Sequence, residues 1–351
     1  MKVIKDFSVK NKKVIVRCDF NVPLEQSGNI LDDFRIQKSL PTLRYLIAEK
    51  ARIIIITHLG EPEGNVVESL KLKVIKNALG NLLGIQVKKA DDCIGIDVEK
   101  KVAELQDGEI LLLENVRFHK EETENDSAFA KQLAGLGNLY VNDAFSDCHR
   151  AHASIMGIPS FLPSGAGLLL QTEVENLHKI LQNPKHPLVV LVGGIKVGTK
   201  AKFIENISQS ADTVIVSGLI KKELSSPSLR AAAWQSSNKI IGPAENLDAL
   251  DIDEKTIEIF REKILQAKTI VWNGPFGKFE EDQYAHGTRE IANAIIKSGA
   301  YSVVGGGETI EFLQKEGILD KFSHVSTGGG AMLEFLSGQE LPGLKALDYE
   351  T

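Results

Sequence analysis

The sequence lacks several features of secreted and membrane proteins. It has only three cysteines, Cys18, Cys93 and Cys148, and their spacing matches no metal-binding motif. We therefore expect free thiols in a reducing compartment rather than a disulfide framework. The first residues, MKVIKDFSVK, contain no apolar signal-peptide segment, and no apolar run approaches the length of a membrane span. These absences predict a cytoplasmic protein without membrane-spanning segments.

The sequence also lacks an excess of positive charge. The formal net charge is −6, and no polybasic tract interrupts the sequence. Nucleic acids and anionic membrane surfaces are bound by clustered lysine and arginine. We therefore expect neither of them as a general partner.

The sequence instead contains a regular alternation of short apolar runs and helical patterns. Its 351 residues, 43% hydrophobic and 25% charged, are enough for two soluble domains. Continuous apolar strands separated by helices predict parallel sheets covered on both faces, and nine strands suit two doubly wound sheets better than one. The predicted strands are 14–17, 52–57, 109–113, 139–142, 188–192, 213–217, 269–272, 301–304 and 323–325. The predicted helices are 37–49, 69–84, 127–135, 171–183, 200–210, 254–266, 284–298, 309–316 and 331–337.

A domain boundary is predicted near residues 158–167, where two prolines and two glycines interrupt any regular pattern. The first domain would then be 1–163 and the second 164–339, with a helix from about 171 to 181 bridging them. In open α/β sheets ligands bind at the carboxyl ends of the strands. The residues that follow each strand are therefore the candidates for function.

The most informative segment is GGIKVGTK, which follows the apolar run 188–192. Its paired glycines let backbone N–H groups approach a phosphate, and the N-terminus of the next helix favours the same anion. Lys196 and Lys200 are four residues apart, so on a helix both would reach one polyphosphate. The order Thr199-Lys200 excludes a Walker A motif, in which lysine precedes the hydroxyl residue. The alternative is a plain tight connection between strand and helix.

Polar residues follow every predicted strand of the first half, and Arg35 lies just ahead of the first helix. Taken singly, an arginine at such a position is more often a surface ion pair. The recurrence favours a basic pocket of four arginines and a histidine for a small, multiply charged anion. These residues are Arg17, Asp19 and Asn21 after the first strand, Thr57 and His58 after the second, Asn115 and Arg117 after the third, and Asn142, Asp143, His149, Arg150 and His152 after the fourth.

Glycine-rich turns follow three strands of the second half, in WNGPFGKFE, VVGGGETIEF and VSTGGGAML. Such turns are expected where the backbone must approach another atom closely, although a lone glycine triplet is equally typical of a flexible loop. The helices predicted to begin at Thr309 and Ala331 would add two anion sites. Glu308 offers a carboxylate of the kind that Mg²⁺ prefers.

These motifs together resemble those of the phosphoglycerate kinases. RCDFNVP, HLGEPEG, ENVRF, VNDAFSDCHRAHAS, GGIKVGTK, IVWNGPFGKFE, VVGGGET and HVSTGGGA stand in the family's order over nearly the whole chain. The resemblance implies two Rossmann-like domains facing a cleft and joined by a helix, with the tail 340–351 packing back on the first domain. It implies a cytoplasmic, monomeric glycolytic enzyme that closes about a hinge. The implied reaction is reversible phosphoryl transfer between 1,3-bisphosphoglycerate and MgADP, giving 3-phosphoglycerate and MgATP.

The resemblance also implies roles by motif position. Residues implied to bind 3-phosphoglycerate are Arg17, Asp19, Asn21, Arg35, His58, Arg117 and Arg150. Residues implied to bind ADP or ATP are Gly194, Lys196, Lys200, Asn273, Glu280, Gly306, Gly307, Glu308 and Thr309, with Glu308 also on Mg²⁺. The implied catalytic residues are Arg35, Lys200, Gly329 and Gly330.

The sequence departs from the family pattern at several positions. Glu61 replaces the arginine of HLGRP beside the anion pocket, so we expect Glu61→Arg to tighten 3-phosphoglycerate binding. Glu308 replaces an aspartate, and Ile195 replaces a small residue. The second domain is shortened around 218–255, where a glycine-rich turn is reduced to SGLIKK and Asp253-Glu254 replace Gly-Pro. Three interpretations stay open: a compact kinase with altered base selectivity, a related acid kinase with another donor or acceptor, and a catalytically impaired ligand-binding relic.

Overall fold

A computed structural model describes residues 1–195, 198–225 and 239–349, and its strands form two sheets. The strands are β1 (Lys13–Arg17), β2 (Arg52–Ile56), β3 (Val87–Lys89), β4 (Ile110–Leu112), β5 (Leu139–Asn142), β6 (Ser164–Ala166), β7 (Leu188–Val192), β8 (Thr213–Val216), β9 (Ile240–Ile241), β10 (Thr269–Asn273), β11 (Tyr301–Gly305) and β12 (His324–Ser326). The α-helices are α1 (Phe34–Ala48), α2 (Lys73–Leu83), α3 (Ile96–Ala103), α4 (Lys120–Thr123), α5 (Ser127–Ala134), α6 (Leu168–Gln182), α7 (Gly198–Ser210), α8 (Gly218–Leu224), α9 (Glu254–Gln266), α10 (His286–Ser298), α11 (Gly307–Lys315), α12 (Gly329–Leu336) and α13 (Pro342–Lys345).

Each sheet has six strands, all paired in parallel, in the orders β3-β4-β2-β1-β5-β6 and β12-β11-β10-β7-β8-β9. Parallel strands covered on both faces need apolar residues at consecutive positions. Ile53–Ile56 of β2 and all five residues of β7 are accordingly buried. The predicted fold class, two doubly wound α/β sheets, is confirmed.

Three strands were not predicted, and all three lie at sheet edges. They are β3, β6 and β9, of three, three and two residues. An edge strand is covered on fewer sides and can be short, so it needs no long apolar run. The nine predicted strands, in contrast, include every central strand of both sheets.

Four short helices also escaped prediction: α3, α4, α8 and α13. Helix α8 is the most informative, because sequence analysis treated SGLIKK as a reduced turn. Ser217 occupies the N-cap position, and the chain becomes helical at Gly218. Helix α9 begins after Asp253, whose side chain accepts a hydrogen bond from the Thr256 N–H at 2.7 Å.

The chain divides into two compact units within α6. Unit 1 is Met1–Val174 together with the segment that begins at Glu340, and unit 2 is Glu175–Gln339. The predicted boundary lay before residue 164, but residues 164–166 form β6 and extend the sheet of unit 1 beside β5. In the tail, the Gly343 N–H donates to the Cys148 carbonyl at 2.9 Å.

The strand orders define one switch point in each sheet. In unit 1 the chain builds outward from β1 through β2 and later returns on the other side of β1 with β5. In unit 2 the chain builds from β7 through β8 and returns on the other side of β7 with β10. Ligands of doubly wound sheets bind beyond the strand ends at such points.

Among the described residues, every helix is too short or too polar to span a membrane.

Candidate active site

The first candidate site lies at the switch point of unit 1, and its innermost charged group is Arg17 at the end of β1. Arg17 is fully buried. Its Nη2 lies 3.1 Å from Asp147 Oδ2 and 3.2 Å from His58 Nδ1, and its Nε donates to Ser154 Oγ at 2.8 Å. Arg17 therefore organises neighbouring side chains, and its direct contact with a substrate stays a prediction.

The ion pairs around Arg17 determine the charge states of this cluster. Burial alone would raise the pKa of Asp147, but Arg17, Arg117 and Arg150 outweigh it and hold that pKa below its ordinary value. Burial and then Arg17 lower the pKa of His58 far below its ordinary value. Asp147 is therefore a carboxylate and His58 a neutral imidazole near neutral pH. The neutral ring can accept the hydrogen bond from Arg17.

Asp19 orients Arg35 at the outer side of the cluster. Asp19 Oδ2 lies 2.6 Å from Arg35 Nη1 and also accepts from the Ser146 hydroxyl. The Asn21 carbonyl accepts from Arg35 Nη1 at 3.1 Å, and the Asn21 side-chain oxygen accepts from the Gly60 N–H at 2.9 Å. The Arg35 side chain is 33% exposed, so its guanidinium is both oriented and accessible.

Arg117 and Arg150 approach one carboxylate, that of Glu61. Arg117 Nη1 lies 2.6 Å from Glu61 Oε1, and Arg150 Nη1 lies 3.4 Å from the same oxygen. Arg117 is buried, and its Nη1 also donates to the Gly60 carbonyl at 3.1 Å. The structure therefore brings the substrate residues predicted for unit 1 into one network, with Glu61 in contact with two of the four arginines.

Other polar residues at these strand ends hold the loops in place. Thr57 Oγ1 accepts from the Phe20 N–H at 2.9 Å, and the Asn115 side chain donates to the Leu59 carbonyl at 2.8 Å. Burial, followed by Arg117, lowers the pKa of His152 to about 4. Thr57 and Asn115 therefore fix the backbone of their loops, and His152 is a neutral imidazole near neutral pH.

Two buried carboxylates of the network were missed by sequence reasoning, Asp147 and Glu122. Glu122 accepts from the Ser154 N–H at 2.8 Å and also from the Ser154 hydroxyl, which in turn accepts from Arg17. Asp147 stands in the motif VNDAFSDCHRAH, and an acid among clustered arginines is the signal that would have identified it. Glu122 offers no comparable signal, since it belongs to an ordinary charged helix turn.

The acidic members of this network do not make it a metal site. Donor atoms of Asp19, His58 and Asp147 lie within 4.8 Å of one another. Arg17 and Arg35 already pair with the two carboxylates, and guanidinium groups supply the positive charge that a cation would bring. The arrangement is suited to hold an anion at its outer, arginine-lined side.

The second candidate site lies at the switch point of unit 2, where the loops after β7 and β10 touch through their backbones. The Gly193 N–H donates to the Asn273 carbonyl at 2.9 Å, and the Gly194 N–H donates to the Pro275 carbonyl at 2.7 Å. A Cβ on Gly193 would lie 2.1 Å from the Pro275 oxygen. Only glycine fits there, which explains the paired glycines of GGIKVGTK.

Lys200 and Glu308 flank this glycine loop. Lys200 is buried in the first turn of α7, and its Nζ donates to the Gly193 carbonyl at 2.6 Å. A Cβ on Gly194 would lie 2.9 Å from Lys200 Nζ and 3.3 Å from Glu308 Oε2. Lys196 lies outside the described residues, so the helix face that it was predicted to share with Lys200 stays a prediction.

A cradle of glycine backbone surrounds the Asn273 side chain. Asn273 is buried at the end of β10, and its Nδ2 has no hydrogen-bond partner among the described residues. A Cβ on Gly306 would lie 3.1 Å from this nitrogen, and one on Gly329 would lie 4.0 Å from it. Gly307 and Gly329 begin α11 and α12, so two helix N-termini point N–H groups toward the cradle. This unpartnered donor and these N–H groups suit phosphate oxygens.

Thr309 lies behind the cradle, at the start of α11. Its side chain is fully buried, and its hydroxyl oxygen accepts from the Gly274 N–H at 2.8 Å. The contact ties α11 to the loop after β10. Thr309 therefore supports the cradle from behind, and its predicted contact with ligand stays a prediction.

A cavity of about 390 Å³ adjoins the glycine loop within unit 2. Ile195 lines it and is 68% exposed, and Ser217 lines it with a buried Oγ that has no partner among the described residues. Other lining residues include Asp253, Glu280 and Glu308. The cavity has the size of small-molecule sites and joins apolar walls to polar groups. Carboxylate oxygens such as those of Glu308 suit Mg²⁺ once phosphate oxygens complete its ligands.

Comparison with known proteins agrees with this arrangement. The family model described as phosphoglycerate kinase matches residues 4–228 and 225–339. A phosphoglycerate kinase of Pelotomaculum thermopropionicum is 42% identical over 388 aligned positions, covering 99% of this chain and 98% of that protein. One of Dictyoglomus turgidum is 42% identical over 98% of this chain and 97% of that protein. The 388 aligned positions exceed the 351 residues of this chain, so the relative has segments that this chain lacks.

Solved structures give the same result. The phosphoglycerate kinase of Coxiella burnetii aligns with a TM-score of 0.83 and 36% identity, over 99% of this chain and 98% of that chain. That of Pyrococcus horikoshii aligns with a TM-score of 0.88 and 33% identity over the same shares. These matches favour a phosphoglycerate kinase over a related acid kinase or a ligand-binding relic, and altered base selectivity stays a prediction. The chain belongs to the phosphoglycerate kinase family.

Proposed function

We propose that unit 1 binds 3-phosphoglycerate or 1,3-bisphosphoglycerate and that unit 2 binds ADP or ATP in the phosphoglycerate kinase reaction. The observation that carries this proposal is the pairing of two unlike sites at equivalent switch points. An arginine cluster at one suits a small, multiply charged acid, and a glycine-lined cradle with a lysine at the other suits a polyphosphate. The cavity beside the cradle is the space for the nucleoside.

In unit 1, Arg35, Arg117 and Arg150 are proposed to contact the acid and its phosphate. Asp19 and Asn21 hold Arg35, and Arg17, His58 and Asp147 form the buried frame behind them. The contacts support this division, since Arg117 and Arg150 meet at the exposed Glu61, whereas Arg17 is paired with Asp147 and His58. Arg35 is oriented by Asp19 and Asn21, and we assign it to the transferring phosphoryl group.

In unit 2, Lys200 and the N–H groups of Gly307, Gly329 and Gly330 are proposed to contact the nucleotide phosphates. Asn273 Nδ2 would add a donor, and Gly194, Gly306 and Glu280 would line the ligand. Glu308 would hold Mg²⁺, which neutralises phosphate charge when it is bound. The unpartnered Asn273 donor and the closeness of Glu308 to Gly194 support this assignment.

Phosphoryl transfer passes through a loose transition state that requires alignment and charge stabilisation rather than a protein nucleophile. Oriented guanidinium, ammonium and helix-terminal N–H groups meet that requirement, since they point at developing negative charge without reorganising. The acceptor is already an ionised carboxylate or phosphate, so little acid–base catalysis is needed. Because acid and nucleotide bind to different units, we infer that turnover includes hinge closure. We also propose a cytoplasmic monomer.

An ADP-dependent coupled assay with 1,3-bisphosphoglycerate tests the proposal. We expect turnover by the parent chain and a loss of about 10²- to 10³-fold in kcat for Lys200→Ala, because an oriented cation at the transferring group is removed. Lys202→Ala is the matched control, since Lys202 is an exposed lysine on the same helix. Equal activity of Lys200→Ala and Lys202→Ala would contradict the role of Lys200. A folded parent without turnover would contradict the proposed function.

A further inference from the structure

The contact between Glu61 and two arginines has a consequence for substrate binding. Glu61 Oε1 lies 2.6 Å from Arg117 Nη1 and 3.4 Å from Arg150 Nη1. A single oxygen therefore bridges two guanidinium groups in the way that an oxygen of a bound phosphate would. The carboxylate stands where an incoming anion is expected.

Arg117 is only partly satisfied by this contact. Its side chain is 1% exposed, and its Nε and Nη2 make no hydrogen bond to any described residue. Its other carboxylate neighbour, Asp147, is farther away, with Oδ1 3.9 Å from Nη2. A buried guanidinium with unused donors favours an anion that has more oxygens than one carboxylate oxygen can supply. A phosphate group has three terminal oxygens.

Glu61 is also easy to displace. Its side chain is 61% exposed, and it lies directly after Gly60, which has a φ of 65°. The Glu61 end of the pair is exposed, so water solvates the released carboxylate, and a bound anion takes its place on the buried Arg117. A stronger ligand can therefore take the place of Glu61 without disturbing the buried frame around Arg17.

We propose that Glu61 is an internal competitor of the substrate: its carboxylate occupies the phosphate position on Arg117 and Arg150, and the phosphorylated acid must displace it. The inference rests on the proposed function, in which this pocket binds that acid. Glu61 thus lowers the affinity for phosphorylated acids and leaves nucleotide binding unchanged. Its effect falls on the KM for the acid rather than on kcat, since the displaced carboxylate is absent from the reacting atoms.

The design of the test depends on a matched pair of glutamates in one loop. Glu63 is exposed, two residues from Glu61, and no ion pair or hydrogen bond of its side chain is found in the described structure. Glu61→Gln and Glu63→Gln therefore remove the same charge at nearly the same place, and only the first removes the arginine contact. Isothermal calorimetry measures the Kd of 3-phosphoglycerate, inorganic phosphate and glycerate for the parent and for both variants.

We expect Glu61→Gln to tighten 3-phosphoglycerate binding roughly two- to fivefold, because the competing carboxylate is itself largely exposed to water. Glu61→Arg should tighten it further, by about tenfold, because attraction replaces competition. The Kd of inorganic phosphate should fall in the same order of variants, whereas the Kd of glycerate should change little. The Kd values of Glu63→Gln should match those of the parent. In steady-state assays the KM for the acid should fall while the KM for ADP and kcat stay the same.

Two results separate the inference from the function on which it rests. Turnover by the parent, together with the same 3-phosphoglycerate Kd in Glu61→Gln, Glu63→Gln and the parent, would overturn the inference alone. A folded parent that binds neither 3-phosphoglycerate nor phosphate in any variant would overturn the proposed acid site itself.

Discussion

The candidate sites of the two units occupy equivalent places in similar topologies but are built from different chemical groups. In unit 1 the strand ends bear charged side chains, and Arg17, Arg117 and Asp147 are buried among one another. In unit 2 the strand ends bear glycines whose backbones touch, such as Gly193 against Pro275. One site presents mainly side-chain charge, and the other presents backbone dipoles beside the buried Lys200.

Each of the two candidate sites imposes a structural requirement of its own. A buried arginine is desolvated and needs a counter-ion, so the site of unit 1 requires buried carboxylates such as Asp147. Helix N-termini attract phosphate without a buried charge, but loops that approach so closely leave no room for a Cβ. Unit 1 should therefore be sensitive to lost charge and unit 2 to added volume.

The largest effect is expected from Asp147→Asn. The substitution preserves the shape of the side chain and removes the carboxylate whose Oδ2 lies 3.1 Å from Arg17 Nη2. Arg17 itself is fully buried. Breaking a buried pair on one side leaves an uncompensated charge, so we expect a loss of about 3 kcal/mol or more in the free energy of unfolding. Urea denaturation measures it as a lower midpoint.

Asp97→Asn is the control for that experiment. The Asp97 side chain is 91% exposed and pairs with Lys100 at 3.2 Å. Exposed pairs contribute about 0–1 kcal/mol, so its midpoint should match that of the parent. If both variants unfold at the same urea concentration, unit 1 does not depend on buried counter-ions, and the contrast between the sites fails.

A smaller effect is expected from Gly193→Ala in unit 2. The added Cβ would lie 2.1 Å from the Pro275 oxygen and 2.5 Å from the Gly274 oxygen, both of them backbone atoms. The loops must separate, which we expect to cost about 2 kcal/mol and to weaken ADP binding. Urea midpoints and calorimetric Kd values for ADP measure the two consequences.

Gly307→Ala provides the matched comparison. Nothing lies within 4 Å of a Cβ at Gly307, its φ is not in the left-handed region, and it is the first residue of α11. The variant keeps its N–H groups, so ADP affinity and stability should stay close to those of the parent. A loss in Gly307→Ala as large as that in Gly193→Ala would show that glycine is needed there for some other reason than close backbone packing.

The central strands and the position of both sites were predictable from the sequence, because apolar runs and strand-end motifs are local patterns. Strand β6 was not, since its residues Ser164–Ala166 have no apolar run and depend on pairing with β5. The domain boundary was predicted before residue 164 for the same reason, because β6 was not recognised as a strand of the first sheet. Local apolar patterns therefore identify the central strands of a sheet, and they identify short edge strands less reliably.

The contacts of the site residues were less predictable than their presence. Arg17 and Arg35 were both assigned to the anion pocket, yet Arg17 at the end of β1 is buried and Arg35 in the first turn of α1 is 33% exposed. Glu61 was expected beside the pocket, but its bridge between Arg117 and Arg150 depends on side chains from three separate loops. The distances from Glu61 to Arg117 and Arg150 depend on tertiary packing, which a single sequence motif does not determine.

Another buried acid of unit 1, Asp143, sharpens the contrast further. Asp143 is fully buried, and its Oδ1 accepts from Thr42 Oγ1 at 2.9 Å and from the Leu169 N–H at 3.0 Å. No arginine lies among the groups that set its charge, so burial raises the pKa of Asp143 from 3.8 to about 8. Asp147 and Asp143 are equally buried, and the arginines alone decide which of them is ionised.

The pH dependence of stability tests this distinction. Between pH 3.8 and about 8 the folded chain keeps a proton on Asp143 that the unfolded chain has lost. The contribution of Asp143 to stability therefore falls as the pH rises through that window and levels off above it. Asp143→Asn is neutral at every pH and should lack this fall. Its free energy of unfolding, measured by urea denaturation, should therefore gain on that of the parent by about 1 kcal/mol or more between about pH 5 and pH 9. Asp97→Asn should show no such gain, and a constant difference between Asp143→Asn and the parent would mean that Asp143 is ionised in the fold.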